Sequence, residues 1–138
     1  MSLEGINWLA VIVSAVIYFI LGALWYSPVL FAKPFIRYRF GGTEMPQTEG
    51  GGQPLEYLFT FVAEMVSAFV LALFVRAAGA ATLLDGIVVG LAAAVGFAVT
   101  STFVNNMFSG AHKMLWVINS GYVLVAFAIM GALLALWR

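Results

Sequence analysis

Leu55-Glu56-Tyr57-Leu58-Phe59-Thr60-Phe61-Val62-Ala63-Glu64-Met65-Val66-Ser67-Ala68-Phe69-Val70-Leu71-Ala72-Leu73-Phe74-Val75-Arg76 is a single hydrophobic run, charged only at Glu56, Glu64 and the terminal Arg76. About 20 predominantly apolar residues carry an α-helix across a ~30 Å hydrocarbon core. In lipid, only helices and closed barrels satisfy the backbone N–H and C=O groups. The run lacks the alternation of a barrel strand, so it reads as a membrane helix over residues 55–76. Three further stretches pass the same test, at 6–27, 83–108 and 114–137. The expected fold is all-α: one domain over residues 1–138, an integral membrane bundle of four transmembrane helices with a surface and linker loop at 28–54.

Composition agrees with that reading. The chain has 138 residues, of which 64% are hydrophobic and 9% charged, with a mean hydropathy of +1.06. Soluble domains are nearer about half apolar and a quarter charged. Six acidic and six basic residues cancel, so no electrostatic argument brings in nucleic acid. The absence of cysteine excludes disulfides, thiolate metal sites and cysteine nucleophiles, and a single histidine excludes a His-rich metal site within one chain. No serine–histidine–acid order, phosphate loop or zinc motif occurs. The expectation is a protein that is not an enzyme, with no catalytic residues, no metal and no cofactor. Glu4 stands where a secretory signal would carry basic residues, and the apolar run behind it is too long for a signal core, so the first helix is read as retained.

Local punctuation fits the four spans. Asn7 can cap the first helix, and Tyr26-Ser27-Pro28 ends it. Gly79 suits the end of the second, and Thr82-Leu83-Leu84-Asp85 has capping-box spacing at the start of the third. The connections at 77–81 and 109–113 are short, so the helices they join should be antiparallel neighbours. Trp8, Trp25, Trp116 and Trp137 all fall near span ends, where indole rings sit at the headgroup level. On that distribution, helices one and four should face lipid, and helices two and three should form the inner or oligomeric surface. Lys33, Arg37, Arg39 and Lys113 lie on one side of the membrane and Arg76 and Arg138 on the other. This bias places loops one and three in the cytoplasm and both termini outside. The segment from Val29 to Phe40 interleaves aromatic and basic residues and should lie along the membrane surface, with Lys33, Arg37 and Arg39 toward anionic headgroups. Residues 41–54 read as a flexible linker.

Glu64 is the best functional lead. A charge at helix centre costs ~3 kcal/mol on insertion scales, and at 1.5 Å per residue Glu64 lies about 13 Å deep. Glu56, Thr60 and Glu64 recur every fourth residue, with Ser67 three further on, so they share a face. Tyr18, Thr100, Ser101 and Asn119 fall at comparable depth on the other helices. The expected intramembrane polar cluster is therefore Glu64, Tyr18, Thr60, Ser67, Thr100, Ser101 and Asn119. It could be interhelical glue, a proton or ion site, or a ligand or partner contact. The polar residues crowd one half of the membrane, and the other half offers only Ser14. That asymmetry describes a cleft open to one side better than a pore.

Helix three carries an association signal. Gly86, Gly90, Ala94 and Ala98 recur every four residues, a pattern that permits close backbone approach within the bundle or between subunits.

Ile6-Asn7-Trp8-Leu9-Ala10-Val11, then Leu21-Gly22-Ala23-Leu24-Trp25-Tyr26-Ser27-Pro28, and later Asn119-Ser120-Gly121-Tyr122-Val123-Leu124-Val125 with Ile129-Met130-Gly131-Ala132, resemble the domain-of-unknown-function 1761 family of small bacterial membrane proteins. The resemblance runs over nearly the whole chain. It implies a four-helix integral membrane protein and carries no assigned activity, so it brings no catalytic residues. The chain departs from the family pattern after the first helix, at Phe31-Ala32-Lys33-Pro34-Phe35.

The functional expectation is a non-enzymatic oligomeric, accessory or scaffold subunit of the cytoplasmic (inner) membrane. Its expected partners are the lipid bilayer and either further copies of the chain or another membrane protein. The alternatives are a small proton- or ion-coupled transporter or channel subunit using Glu64, and a lipid- or pigment-binding accessory.

Overall fold

The computed structural model describes residues 5–27, 30–40 and 54–137. Of the linker expected at 41–54, residues 41–53 lie outside the described residues, as do 1–4, 28, 29 and 138, while Pro54 is the first residue of a helix. The described elements are α1 (Trp8–Trp25), α2 (Ala32–Phe40), α3 (Pro54–Ala77), α4 (Leu83–Ala93), a π-helical segment (Ala94–Val99), α5 (Thr100–Ser109) and α6 (Lys113–Leu136), with no strand among them. Four continuous helical stretches, Trp8–Trp25, Pro54–Ala77, Leu83–Ser109 and Lys113–Leu136, are long and apolar enough to cross a membrane. The chain is an all-helical, multi-pass membrane protein.

Helix ends form for local reasons. The Asn7 side chain accepts the Ala10 N–H at 3.2 Å, and Thr82 Oγ1 accepts that of Asp85 at 3.1 Å. Each satisfies one of the orphan donors of a first turn. Gly110 ends α5 in the left-handed region at φ +72°, where a side chain would be strained. Within the loop expected to lie along the surface, Ala32–Phe40 is a helix in its own right. Its proline, Pro34, sits in the first turn, where no intrahelical N–H is needed. Arg37 and Arg39 occupy the last turn, where the helix dipole favours cations. Tyr38 packs on His112 with ring centroids 4.2 Å apart, which docks α2 against the connection leading into α6.

Packing is dominated by small residues. α1 buries Ala10, Val11, Ser14 and Ala15; α3 buries Ala68, Leu71, Ala72 and Val75; α6 buries Ala126, Met130, Gly131, Leu134 and Ala135. Lipid tails are as apolar as leucine, so close van der Waals fit rather than water exclusion holds such helices together. The fit is tightest between α4 and α6. A methyl group built on Gly86 would fall on the Gly131 carbonyl oxygen and 2.7 Å from Ala135 Cβ, and one on Gly90 would fall on the Phe127 carbonyl oxygen. A methyl on Gly131 would in turn strike the Gly86 carbonyl oxygen. The backbones touch with no side chain between them, a geometry that brings in Cα–H···O contacts.

The expectation that helices one and four face lipid while two and three form the inner or oligomeric surface is corrected here for helix four, and for an inner place of helix three. The fourth span is the inner helix, with 39% of its most apolar window buried, and the third span is the outermost, with 17%. α6 packs against α1, α3 and α4 together. Tryptophan position misled because two indoles turn inward. Trp25 Nε1 donates to the Ile118 carbonyl and Trp116 Nε1 to the Val99 carbonyl, each at 3.0 Å.

Glycine contacts generate a paired prediction. Gly90→Val should force α4 off α6 and lower stability by about 1–3 kcal/mol, the range for overpacking. Within a single chain Gly96→Ala should be neutral or slightly stabilising, because among the described residues beyond its own stretch of helix a methyl there meets nothing within 4 Å. Unfolding in detergent micelles, followed by circular dichroism, measures both.

Candidate functional site

The site is built where the C-terminal half of α1 crosses the N-terminal half of α6. Tyr18, Gly22 and Tyr26 recur every fourth residue, and Asn119 and Tyr122 are three apart, so each set presents one face. A methyl on Gly22 would lie 2.7 Å from Tyr122 Oη. The missing side chain lets the Tyr122 hydroxyl reach the α1 backbone and donate to the Tyr18 carbonyl at 2.7 Å. The Tyr18 and Tyr122 rings pack at 5.2 Å between centroids, and Tyr26 meets Tyr122 at 5.7 Å and 74°. The Tyr26 hydroxyl donates to Asn119 Oδ1.

Glu64 enters this cluster from α3. It is 8% exposed, with Oε1 3.4 Å from Tyr122 Oη, while Oε2 has no hydrogen-bond partner among the described residues. A tyrosine hydroxyl has one proton. With the carboxyl protonated, the Tyr122 proton stays on the Tyr18 carbonyl and the carboxyl donates to Tyr122 Oη, so both contacts are satisfied. With the carboxyl ionised, that proton must leave the Tyr18 carbonyl to serve Glu64. One tyrosine hydroxyl on α6 thus stands between a carbonyl of α1 and a carboxyl of α3.

The residues expected to share this cluster divide. Glu64 and Tyr18 meet through Tyr122, and half-buried Asn119 joins through Tyr26. Thr60 is exposed and its hydroxyl donates to the Glu56 carbonyl of its own helix at 2.8 Å. Thr100 likewise donates to Gly96 at 2.9 Å. Ser/Thr side chains in helices commonly bond back in this way. Ser101 is exposed. Ser67 lines an apolar groove of about 430 Å³ between α3 and the π segment, with Phe74 and Phe97. Depth grouped Thr100 and Ser101 with Glu64, and spacing along α3 grouped Thr60 and Ser67 with it. The third span leaves Thr100 and Ser101 exposed, and on α3 Thr60 is exposed while Ser67 borders the apolar groove. Tyr122, Tyr26 and Gly22 belong to this cluster and the sequence reading missed them, although the fourth-residue spacing on α1 was a usable signal.

Of the small-residue series, Gly86 and Gly90 lie in the α6 contact, Ala94 is fully buried, and half-buried Ala98 lines the apolar groove. Of the interface residues, Trp8 is exposed and stacks on Phe69 at 5.2 Å, and Trp137 is exposed. Lys33 and Arg37, with Pro34 and Tyr38, border a pocket of about 480 Å³. Arg39 borders a second, polar cleft of about 520 Å³ between α2, α5 and the start of α6. Asn119 lines that cleft and is also Tyr26's partner, so the cleft and the tyrosine cluster share a wall. Among the described residues, no group of three or more His, Cys, Asp or Glu side chains could hold a metal ion.

The family model described as a protein of unknown function (DUF1761) matches residues 9–135, and the chain belongs to that family. No curated protein and no solved structure matches it. Two of the stretches that carry the resemblance, around Gly22–Ser27 and around Asn119–Tyr122, pack against each other here. Besides the Tyr122 and Asn119 contacts, a methyl on Gly121 would lie 3.0 Å from the Trp25 ring.

Tyr122→Phe should remove the hydroxyl from both Tyr18 and Glu64 and lower stability by about 1–2 kcal/mol. Glu64→Gln keeps a donor for Tyr122 Oη and should unfold close to wild type in the same micelles. A Glu64→Gln protein less stable than Tyr122→Phe would show that the carboxyl is not the donor.

Proposed function

We propose that this member of the family is a non-enzymatic subunit of a bacterial cytoplasmic membrane, associating with a second copy of itself through the outer face of its third span. The observation that carries this reading is Gly96. Ala92, Gly96 and Thr100 recur every fourth residue, and all are exposed. A glycine inside a helix costs roughly 0.5–1 kcal/mol against alanine. The α4–α6 contact accounts for Gly86, Gly90 and Gly131, whereas among the described residues nothing beyond its own stretch of helix lies within 4 Å of a methyl on Gly96. A helix from another subunit, packed backbone to backbone, supplies the missing reason.

A second copy suits the relief of this face. Phe97, 69% exposed, stands beside the groove walled by Val66, Val70 and Phe74. An isologous pairing would place each Phe97 against the partner's groove. The loops with the larger Lys/Arg share, one and three, would lie in the cytoplasm.

Transport through Glu64 is the second reading, favoured by its unpartnered Oε2. Beyond Glu64, toward the far side, the buried positions of α3 are Ala68, Leu71, Ala72 and Val75. A conducting path needs polar lining or water along its length, and this stretch offers none.

The chain has no cysteine, so single-cysteine variants report cleanly. Ala92→Cys and Gly96→Cys should form disulfide-linked dimers on oxidation in native membranes, and Ile20→Cys, exposed on α1, should not. Gly96→Leu should shift the native mass in mild detergent from dimer to monomer with the helical spectrum unchanged. A monomeric wild type in both membrane and nanodisc, with pH-dependent flux in liposomes abolished by Glu64→Gln, would replace this reading with the transport one.

A further inference from the structure

We propose that α2 holds the headgroup of an anionic phospholipid between Lys33 and Arg37, on the side of the helix turned away from the bundle. The inference is independent of association through the third span. Three ring contacts hold α2 and the residue before it in place. Phe31 packs on Trp25 with centroids 4.7 Å apart, Phe35 meets Tyr26 at 5.1 Å and 72°, and Tyr38 lies 4.2 Å from His112. A helix turns about 100° per residue, so the positions two before and two after Phe35 point to the opposite side. Lys33 and Arg37 occupy those positions, and both are exposed.

The surroundings of the two cations give the chemistry of the occupant. With Pro34 and Tyr38 they border a pocket of about 480 Å³ that has no carboxylate in its lining, within the size range of small-ligand sites. Neither has a carboxylate partner among the described residues. The Arg37 guanidinium stands 5.9 Å from the Tyr38 ring centroid, which restrains a long side chain before any ligand arrives. Arg39, the third cation of α2, lines the cleft toward α5 and takes no part in the site. A lysine and an arginine one turn apart match a phosphodiester, which brings one negative charge and acceptor oxygens for both.

Position selects a lipid as the source of that phosphate. Trp25 closes the first span, and Tyr38 packs beside the turn between the third and fourth. That end of the spans is where a bilayer passes from hydrocarbon to headgroup. Leu30, 42% exposed just before α2, offers apolar surface to an acyl chain, which a soluble anion would leave uncovered.

The full chain, purified in mild detergent, would be mixed with equal phosphatidylglycerol and phosphatidylcholine and read by native mass spectrometry. The variants are Lys33→Gln and Arg37→Gln, with Lys113→Gln as the control, a cation exposed at the start of α6 and outside the pocket. Wild type and Lys113→Gln should retain phosphatidylglycerol in preference to phosphatidylcholine. Each of the other two should lose about fivefold in affinity for phosphatidylglycerol, the share of one cation near an anionic surface, with the helical spectrum unchanged. An equal loss in Lys113→Gln, or equal retention of the two lipids by wild type, reduces α2 to part of a generally basic surface and overturns the proposal. So does a fall in thermal stability, without loss of lipid, that Glu44→Gln combined with Glu49→Gln reproduces, because the cations would then serve residues 41–53.

Discussion

Between α4 and α6 the carbonyl oxygens of Gly86 and Gly131 each lie where the other residue's side chain would begin. Among the described glycines only those of α4 and α6 meet another helix's backbone, and the arrangement of the other spans is built around that contact. With α4 held on one side, α6 becomes the axis on which α1 and α3 also pack. The third span, committed to α6, leaves an apolar groove between itself and α3. The contact also excludes any side chain that could anchor it polarly, so it rests on dispersion and Cα–H···O attraction alone.

The bundle has two kinds of interior. Near the α3–α4 connection it is filled by Ala10, Ala15, Ala72, Val75 and Ala135, residues with few rotamers and no polar atoms. Near the other end it is filled by Tyr18, Trp25, Tyr26, Trp116 and Tyr122, whose rings need space and whose polar tips need partners. Four of those tips find them across helices: Trp25 on Ile118, Tyr26 on Asn119, Trp116 on Val99 and Tyr122 on Tyr18. Glu64 sits on this aromatic side, where a hydroxyl is within reach.

Much of this was legible beforehand, for physical reasons. Bilayer thickness fixes the length of a span, so hydropathy located all four within a residue or two of their ends. The caps at Asn7 and Thr82 were legible because the side chain that satisfies an orphan N–H must be the residue at the boundary. Which helix lies inside was not legible, because an indole bonds equally well to water and to a neighbour's carbonyl. Trp25 and Trp116 chose the carbonyl. Nor did depth identify the partners of Glu64. Thr100 and Ser101 lie at the right height but on a face turned outward, and the residue that reaches Glu64, Tyr122, lies three positions beyond Asn119 along α6. The shift to i→i+5 pairing at Ala94–Val99 leaves no mark in hydropathy at all.

That π segment divides the third span into two parts with separate tasks. Every glycine clamped against α6 precedes it, and every third-span residue of the polar cleft follows it. One residue added to or taken from a helix rotates all that follows by about 100°, while the part before stays in place. A single-codon insertion or deletion between positions 94 and 99 would therefore re-aim the polar end of the span and leave the glycine clamp untouched. Few ways of altering a membrane protein's exposed chemistry disturb so little of what holds it together.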